Sequence, residues 1–281
     1  MKCASDFRMI ARNALRGRWG VAVATAFVAQ LLGGTLWSSG GGISFNFSSG
    51  TSGISGVLGE ELSYLLHEEI VAIILVILGI VLIFAVVFGL VMFAIGGAAK
   101  LGYAAFNLNL VDGKPARFSD LFSQFGRIGQ GIVMNLLLSI FTALWALLFI
   151  IPGIIKSYSY AMTPFILAEN PHMNALDAIT RSRQVMDGNK WRLFCLQFSF
   201  IGWALLLCAP LVLSLVLFVI AMATESVVLM IFTLLLFLAV LIAIFVGQLF
   251  LVPYQNAAMA AFYRDITAAQ ETDRFYGTLE F

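Results

Sequence analysis

A polar stripe interrupts one of the apolar stretches in the second half of the chain. Its members lie at positions i, i+3, i+4 and i+7: Lys156, Ser159, Tyr160 and Thr163. This spacing puts them on one face of an α-helix, and inside a membrane such a face must point into protein or a wet cavity. Amide side chains on neighbouring stretches could supply partners: Asn135, Gln197 and Gln248. One hypothesis is that these residues form a ligand-binding site in which Lys156 recognises an anionic headgroup or substrate.

Lys156 also has a simpler interpretation. It lies only four residues after Pro152, a proline that we expect to end the preceding helix together with Gly153. The flexible stem of a lysine in that position can carry the ammonium group to the headgroup layer. Snorkelling to the membrane surface is the interpretation that the position favours, and ligand binding is the alternative.

Catalytic and metal-binding sets are not evident elsewhere in the sequence. The two histidines, His67 and His172, have no serine or cysteine arranged around them, and the three cysteines do not form a disulfide framework. An enzyme would need a pocket gathering Glu169 and His172 with other titrating groups. A net charge of +1 gives no support for nucleic-acid binding. We predict a non-enzymatic protein without catalytic residues, metal or cofactor.

The elements that must carry the polar stripe are membrane helices. Hydrophobic residues make up 61% of the chain and charged residues 11%, whereas soluble domains average about half apolar and a quarter charged. We predict one all-α integral membrane domain, a helix bundle of about six crossings. The apolar stretches are residues 19–37, 70–99, 128–151, 154–168, 193–221 and 227–252. The fourth stretch is short, so a re-entrant segment is the alternative there.

The basic residues are sorted along the chain. Five of them occupy the first eighteen positions, and neither Lys nor Arg occurs between Trp19 and Lys100. Because the cytoplasmic loops of membrane proteins carry the excess of basic residues, we predict that both termini are cytoplasmic. Residues 38–69, first rich in Gly and Ser and then acidic, are the predicted outer loop.

Three amphipathic stretches precede pairs of apolar ones, which suggests a threefold repeat of units at about 1–110, 111–170 and 171–281. The first carries an arginine stripe beside apolar residues, the second spans 118–125, and the third spans 175–187. We predict that all three lie at the cytoplasmic membrane interface, although an ordinary basic flank also explains the first. The predicted membrane-interface residues are Arg8, Arg12, Arg16, Trp19, Trp37, Lys190 and Trp191.

Two segments carry a family resemblance. They are FIIPGIIKSYSYAMTPFILAENPHMNALDAITRSRQVMDGNKWRLFCLQFSFIGW, from Phe149 to Trp203, and ARNALRGRW, from Ala11 to Trp19. With them the chain resembles the bacterial integral-membrane family called domain of unknown function 975. The resemblance implies a multi-pass protein of a bacterial plasma membrane, and it implies no reaction, substrate or cofactor.

Two functions fit these patterns. The first is a membrane module that binds lipids or a membrane-protein partner, because amphipathic stretches are many and intramembrane polar residues are few. The alternative is a transporter or flippase-like carrier of an amphiphilic or anionic small molecule, suggested by the repeated hairpins and the polar stripe. The sequence leaves the oligomeric state open.

Overall fold

The computed structural model describes residues 3–33, 68–224 and 227–277, and these residues form helices and turns without a strand. The predicted anchor Trp37 lies outside them, as do His67 and residues 38–67 of the predicted outer loop. The all-α class is therefore confirmed for the described part of the chain.

Ten α-helices follow one another along the described residues. They are α1 (Ala4–Leu15), α2 (Trp19–Leu31), α3 (Glu68–Val111), α4 (Ile128–Leu148), α5 (Ile150–Tyr160), α6 (Thr163–Glu169), α7 (Ala175–Val185), α8 (Lys190–Phe198), α9 (Ile201–Ala223) and α10 (Val227–Gly277). Two short 3₁₀ turns, Phe118–Phe122 and Phe125–Arg127, precede α4.

Among the described residues, three helical segments are long and apolar enough to cross a membrane: Ile73–Val111, Phe118–Leu148 and Val227–Gln270. A crossing needs about 20 mainly apolar residues, because the hydrocarbon core is about 30 Å thick and a helix rises 1.5 Å per residue. Two shorter apolar segments, Trp19–Leu31 and Ala209–Ala223, accompany them. The protein is thus a helical protein with several segments suited to a membrane.

Exposed and buried parts alternate along the two longest helices. Apolar side chains are exposed over Ile73–Val91 of α3 and along much of Val227–Phe250 of α10. Most side chains over Ala98–Leu110 and Leu251–Ile266 are instead buried in the main core. We call the region around these buried segments the packed end. So much exposed apolar surface is unfavourable in water, whereas a hydrocarbon solvent can cover it.

Helices α3 and α4 cross with their backbones in contact. Gly97 of α3 lies against Gly131 of α4, and a Cβ atom built on Gly131 would lie 2.6 Å from the backbone nitrogen of Ala98. Another α3 glycine, Gly102, lies against the backbone of Leu121 in the first 3₁₀ turn. The absence of a side chain at these glycines is what lets the two segments approach α3 so closely.

The prediction of a continuous amphipathic helix over 118–125 is wrong. Two 3₁₀ turns take its place, and of its aromatic and aliphatic residues Leu121 alone is buried, while Phe118 and Phe122 are exposed. Ser123 explains the difference, because its hydroxyl donates to the Asp120 carbonyl at 2.6 Å, an acceptor that a continuous α-helix would give to a backbone N–H group. Local side-chain bonds of this kind compete with a regular helix.

The predicted turn at Pro152 and Gly153 is also displaced. Helix α4 ends at Leu148, and Phe149 is extended, with φ −158° and ψ 139°. Pro152 lies in the first turn of α5, where its missing N–H group costs little. Gly153 packs on α4, because a Cβ atom built there would lie 2.8 Å from the Ala146 Cα atom. The glycine therefore serves the approach of the two helices.

The fourth predicted crossing is divided between two helices. Helix α5 has 11 residues, about 16 Å at 1.5 Å per residue, which is too short to cross alone. The chain then turns at Ala161 and Met162, and α6 begins at Thr163 with five consecutive buried residues. The structure thus shows a hairpin of α4 and α5 followed by a buried short helix.

Candidate functional site

The predicted polar stripe borders an open cleft of about 270 Å³ between α4, α5 and α7. We call it the basic cleft, because two cations and no carboxylate line it among the residues that the structure describes. Its lining residues are Phe141, Trp145, Lys156, Tyr160, Leu176, Ile179, Thr180 and Arg183. Two residues of the predicted ligand set, Lys156 and Tyr160, are therefore part of it.

The two cations of the basic cleft come from different helices. The Lys156 ammonium group lies 4.7 Å from the centroid of the Trp145 ring, an arrangement in which the ring attracts the cation. Arg183 is exposed. In the part of the chain that the structure describes, neither cation forms an ion pair with a carboxylate. Both charges are therefore available to an anion that enters the cleft.

The rest of the polar stripe continues from the cleft into protein. Tyr160 and Ser159 are buried, and the Tyr160 ring lies 6.2 Å from that of Phe141. The Ser159 hydroxyl donates to the Ile155 carbonyl at 3.1 Å, within its own helix. Thr163 is fully buried, and its hydroxyl has no hydrogen-bond partner among the described residues. The stripe therefore faces protein at its buried end and solvent at Lys156.

Asn135, an amide that we expected near Lys156, instead accepts a bond from the Lys100 ammonium group at 3.1 Å and donates to the Phe93 carbonyl at 3.4 Å. The partner of Asn135 is thus a lysine of α3. The crossing of α3 and α4 explains this pairing. Lys100 lies three residues after Gly97, and Asn135 lies four residues after Gly131, so both side chains lie close to the crossing point.

Two further amides also lie apart from the stripe's lysine. Gln197 accepts a bond of 2.6 Å from the Tyr158 hydroxyl, on a neighbouring position of α5. Gln248 is exposed on α10. The predicted seven-residue set is therefore not gathered into a single site.

Residues of α7 in the basic cleft were missed by sequence reasoning. They lie at i, i+3, i+4 and i+7: Leu176, Ile179, Thr180 and Arg183. This is the same spacing as in the polar stripe of α5, so the signal was present in the sequence. What the sequence lacked was the packing of α7 on α5, where the Ser182 hydroxyl donates to the Ser159 carbonyl at 2.9 Å.

Glu169 takes part in a cluster that joins three helices. Its carboxylate accepts a bond from the Tyr263 hydroxyl at 2.6 Å and another from Arg264 of α10. Arg264 also donates to both carboxylate oxygens of Asp112, at 2.7 and 2.6 Å. The Glu169 carboxylate is therefore already bound by two side chains of α10.

No group of three or more His, Cys, Asp or Glu side chains within residues 3–33, 68–224 and 227–277 could hold a metal ion.

The predicted interface residues lie in different settings. Trp19 packs near Phe250 of α10, with ring centroids 6.1 Å apart. Lys190 lies 3.9 Å from an Asp187 carboxylate oxygen, and Trp191 is exposed. The arginines of α1 point away from its buried face, which consists of Phe7, Ala11 and Leu15.

These features define an all-α protein with several helices suited to a membrane and a cationic cleft beside its shorter helices. The family model described as Protein of unknown function (DUF975) matches residues 147–270. The resemblance seen in the stretch from Phe149 to Trp203 is thereby confirmed, while the stretch from Ala11 to Trp19 lies outside the match. The matched region includes Lys156, Tyr160 and Arg183. Neither a curated protein nor a solved structure matches the chain significantly.

Proposed function

We propose that this protein is a non-enzymatic, multi-pass protein of a bacterial plasma membrane that binds an anionic phospholipid in the basic cleft. The observation that carries the proposal is the convergence of Lys156 and Arg183, from α5 and α7, on one cleft whose described lining contains no carboxylate. Arginine and lysine are the side chains that bind phosphate groups in proteins. Two unpaired cations in one cleft therefore favour a phosphate headgroup.

The surroundings of the basic cleft support a ligand with an apolar part. Leu176 at its rim is exposed, and so are Ile154 and Ile155 on α5. Trp145 and Tyr160 add aromatic rings with polar groups, the residue types that favour the boundary between lipid and water. A headgroup held by the two cations would leave its acyl chains beside these apolar side chains.

The test of this binding uses the full-length protein in detergent, titrated with phosphatidylglycerol and with phosphatidylcholine, and native mass spectrometry to count bound lipid. Each basic residue near a membrane surface contributes about 1 kcal/mol to binding anionic lipid. The double variant Lys156→Gln/Arg183→Gln should therefore bind phosphatidylglycerol roughly 30-fold more weakly. Arg181→Gln is the control for Arg183→Gln, because it removes one charge from the same helix at a residue that does not line the cleft. Equal affinity in the double variant and the control would exclude the basic cleft as the lipid site.

We also propose six crossings with both termini in the cytoplasm. Helix α4 has 21 residues, about 31 Å, which matches the thickness of the hydrocarbon core. Because α7 lines the basic cleft beside Trp145, the labelling of Phe149→Cys decides whether α4 and α5 cross or form a re-entrant hairpin. In a variant without native cysteines, an impermeant maleimide applied from outside should label Phe149→Cys and Thr224→Cys and leave Lys114→Cys unlabelled. Protection of Phe149→Cys beside a labelled Thr224→Cys would instead make the α4–α5 hairpin re-entrant.

A carrier function is the second candidate, and the hydroxyl of Thr163 favours it. This hydroxyl is buried and has no partner among the described residues, and Thr163 begins α6, the helix that follows the one carrying Lys156. A ligand that moved from Lys156 into the protein along these two helices would meet it. Proteoliposomes containing a fluorescent phosphatidylglycerol test the idea: a carrier should exchange the lipid between leaflets, and Thr163→Val should slow the exchange without weakening binding. No exchange above that of protein-free vesicles would leave binding as the function.

A further inference from the structure

A second cleft lies at the packed end, between the N-terminal helix and the helices α9 and α10. Its volume is about 300 Å³, and its lining residues are Ser5, Arg8, Met9, Arg12, Trp203 and Tyr254. We call it the arginine cleft. It shares no residue with the basic cleft, so its function can be tested without assuming anything about Lys156 or Arg183.

The buried face of α1 fixes the orientation of the two arginines. Phe7, Ala11 and Leu15 are almost completely buried, and the Phe7 ring meets that of Phe262 on α10 at 5.3 Å in an edge-to-face contact. Arg8 and Arg12 lie four residues apart, so they share a different face of the same helix. The packing of α1 on α10 thus places Arg8 and Arg12 in the lining of the arginine cleft.

The electrostatics of the arginine cleft favour an anion. Arg12 is exposed and forms no ion pair with a described carboxylate, while Arg8 makes one long contact, of 3.5 Å, to the Ser199 carbonyl. The nearby carboxylate, Asp6, is used by the backbone of the same helix, since it accepts a bond from the Cys3 nitrogen at 2.8 Å. Ser5 in the first turn of α1 adds a hydroxyl group. Two guanidinium groups and a hydroxyl suit the several oxygens of a phosphate group.

The position of the arginine cleft identifies the source of that phosphate as a lipid. Trp203 is half exposed near the start of α9, and the side chains that follow it, Leu205 and Leu206, are 64% exposed. On α10 the exposed apolar part ends at Phe250, four residues before Tyr254. Trp and Tyr at the end of an exposed apolar surface are typical of the headgroup layer of a membrane.

From this juxtaposition we infer that the arginine cleft binds the phosphate headgroup of an anionic phospholipid. The headgroup contacts Arg8 and Arg12, and the acyl chains lie along the exposed apolar faces of α9 and α10. The apolar face of α1 takes no part, because it is buried in protein.

The experiment uses the full-length protein in detergent and phosphatidylglycerol with brominated acyl chains, which quench nearby tryptophans. The difference between the fluorescence of the protein and that of Trp203→Phe isolates the signal of Trp203. Brominated phosphatidylglycerol should quench this signal at far lower concentration than brominated phosphatidylcholine. In Arg8→Gln/Arg12→Gln the affinity should fall roughly 30-fold, from about 1 kcal/mol per basic residue.

Two controls separate the arginine cleft from charge in general and from folding. Lys114→Gln/Arg117→Gln removes the same charge from the loop after α3 and should change the Trp203 titration less than twofold. Arg12→Gln alone changes an exposed side chain without a described ion pair, so it should fold normally and bind roughly fivefold more weakly.

Three results would overturn the inference. The first is that brominated phosphatidylglycerol quenches Trp203 with the same affinity in Arg12→Gln, in the double arginine variant and in the wild-type protein. Another is equal quenching by the two brominated lipids, because this would mean that the cleft does not select for charge. The third is displacement of the brominated lipid by excess glycerol phosphate alone, which would make a soluble phosphate compound the ligand.

Discussion

The crossing of α3 and α4 leads to a sharp prediction for Gly97→Ala and Gly131→Ala. A methyl group at Gly97 would occupy the position of the Gly131 carbonyl, and one at Gly131 would lie 2.6 Å from the Ala98 nitrogen. The atoms in the way belong to the backbone in both cases, so no side chain can rotate to make room. Each substitution must therefore push the two helices apart.

The magnitude follows from two opposed effects. Adding a methyl group to a packed interior costs about 1–3 kcal/mol, and backbone obstruction places these positions at the upper end or beyond. Replacing a helical glycine by alanine contributes about 1 kcal/mol in the other direction. We expect a net loss of about 2 kcal/mol or more for either substitution.

Gly89→Ala is the matched control on the same helix. A Cβ atom built on Gly89 meets no heavy atom within 4 Å, so the substitution should keep or raise stability. Thermal unfolding in detergent, followed by the loss of monodisperse protein in size-exclusion chromatography, measures all three variants. If Gly97→Ala and Gly131→Ala unfolded at the same temperature as Gly89→Ala, the close crossing, and with it the pairing of Lys100 and Asn135, would be refuted.

Two further predictions concern contacts between helices. Glu169→Gln should lower stability by about 1–3 kcal/mol, because Arg264 loses one of its two charged partners and the Tyr263 hydroxyl loses a carboxylate acceptor. Thermal unfolding of the variant and of the wild-type protein measures the loss. An unchanged unfolding temperature would contradict this prediction. Tyr158→Phe should lower the free energy of unfolding by about 1 kcal/mol, because it deletes the 2.6 Å hydrogen bond to Gln197. A double-mutant cycle with Gln197→Leu tests this: the losses of the two single variants should not add up in the double variant.

Much of the helical architecture could be predicted from the sequence because it depends on local chemistry. Long apolar stretches give long helices, since a backbone without water must bond within itself. The start of α7 at Ala175 and its buried face, which includes Ala178 and Ile179, also follow from spacing alone. Such features need no knowledge of what packs against them.

Turn positions were harder to predict, because one residue type fits two places. A proline is tolerated in the first turn of a helix and also follows the end of one. The sequence around Pro152 allows both, and the structure places it inside α5. The deciding contact is Gly153 against Ala146, which joins two helices and has no signature in either of them.

The candidate site was only partly predictable, for the same reason. Lys156 and Tyr160 were found from spacing, and Arg183 has the same signal on α7. Which amide meets which lysine depends on where helices cross, and α3 and α4 meet at glycines that lie outside the polar stripe. Asn135 was named as a possible partner for the stripe, but its contact with Lys100 of α3 has no signal in the spacing.

The buried face of α1 limits the kind of lipid recognition that we propose for this protein. A free amphipathic helix binds membranes mainly by placing its apolar face among the acyl chains. Here Phe7, Ala11 and Leu15 are buried against other helices, so that contribution is already used in folding. In the proposed site, α1 offers lipid a pair of arginines beside Trp203, on a helix whose other face is fixed in the core. Recognition by these charges should depend on the headgroup charge and on the salt concentration, because screening weakens exposed charges. An isolated α1 peptide is a poor substitute for the folded protein, because its apolar face would be free to bind acyl chains.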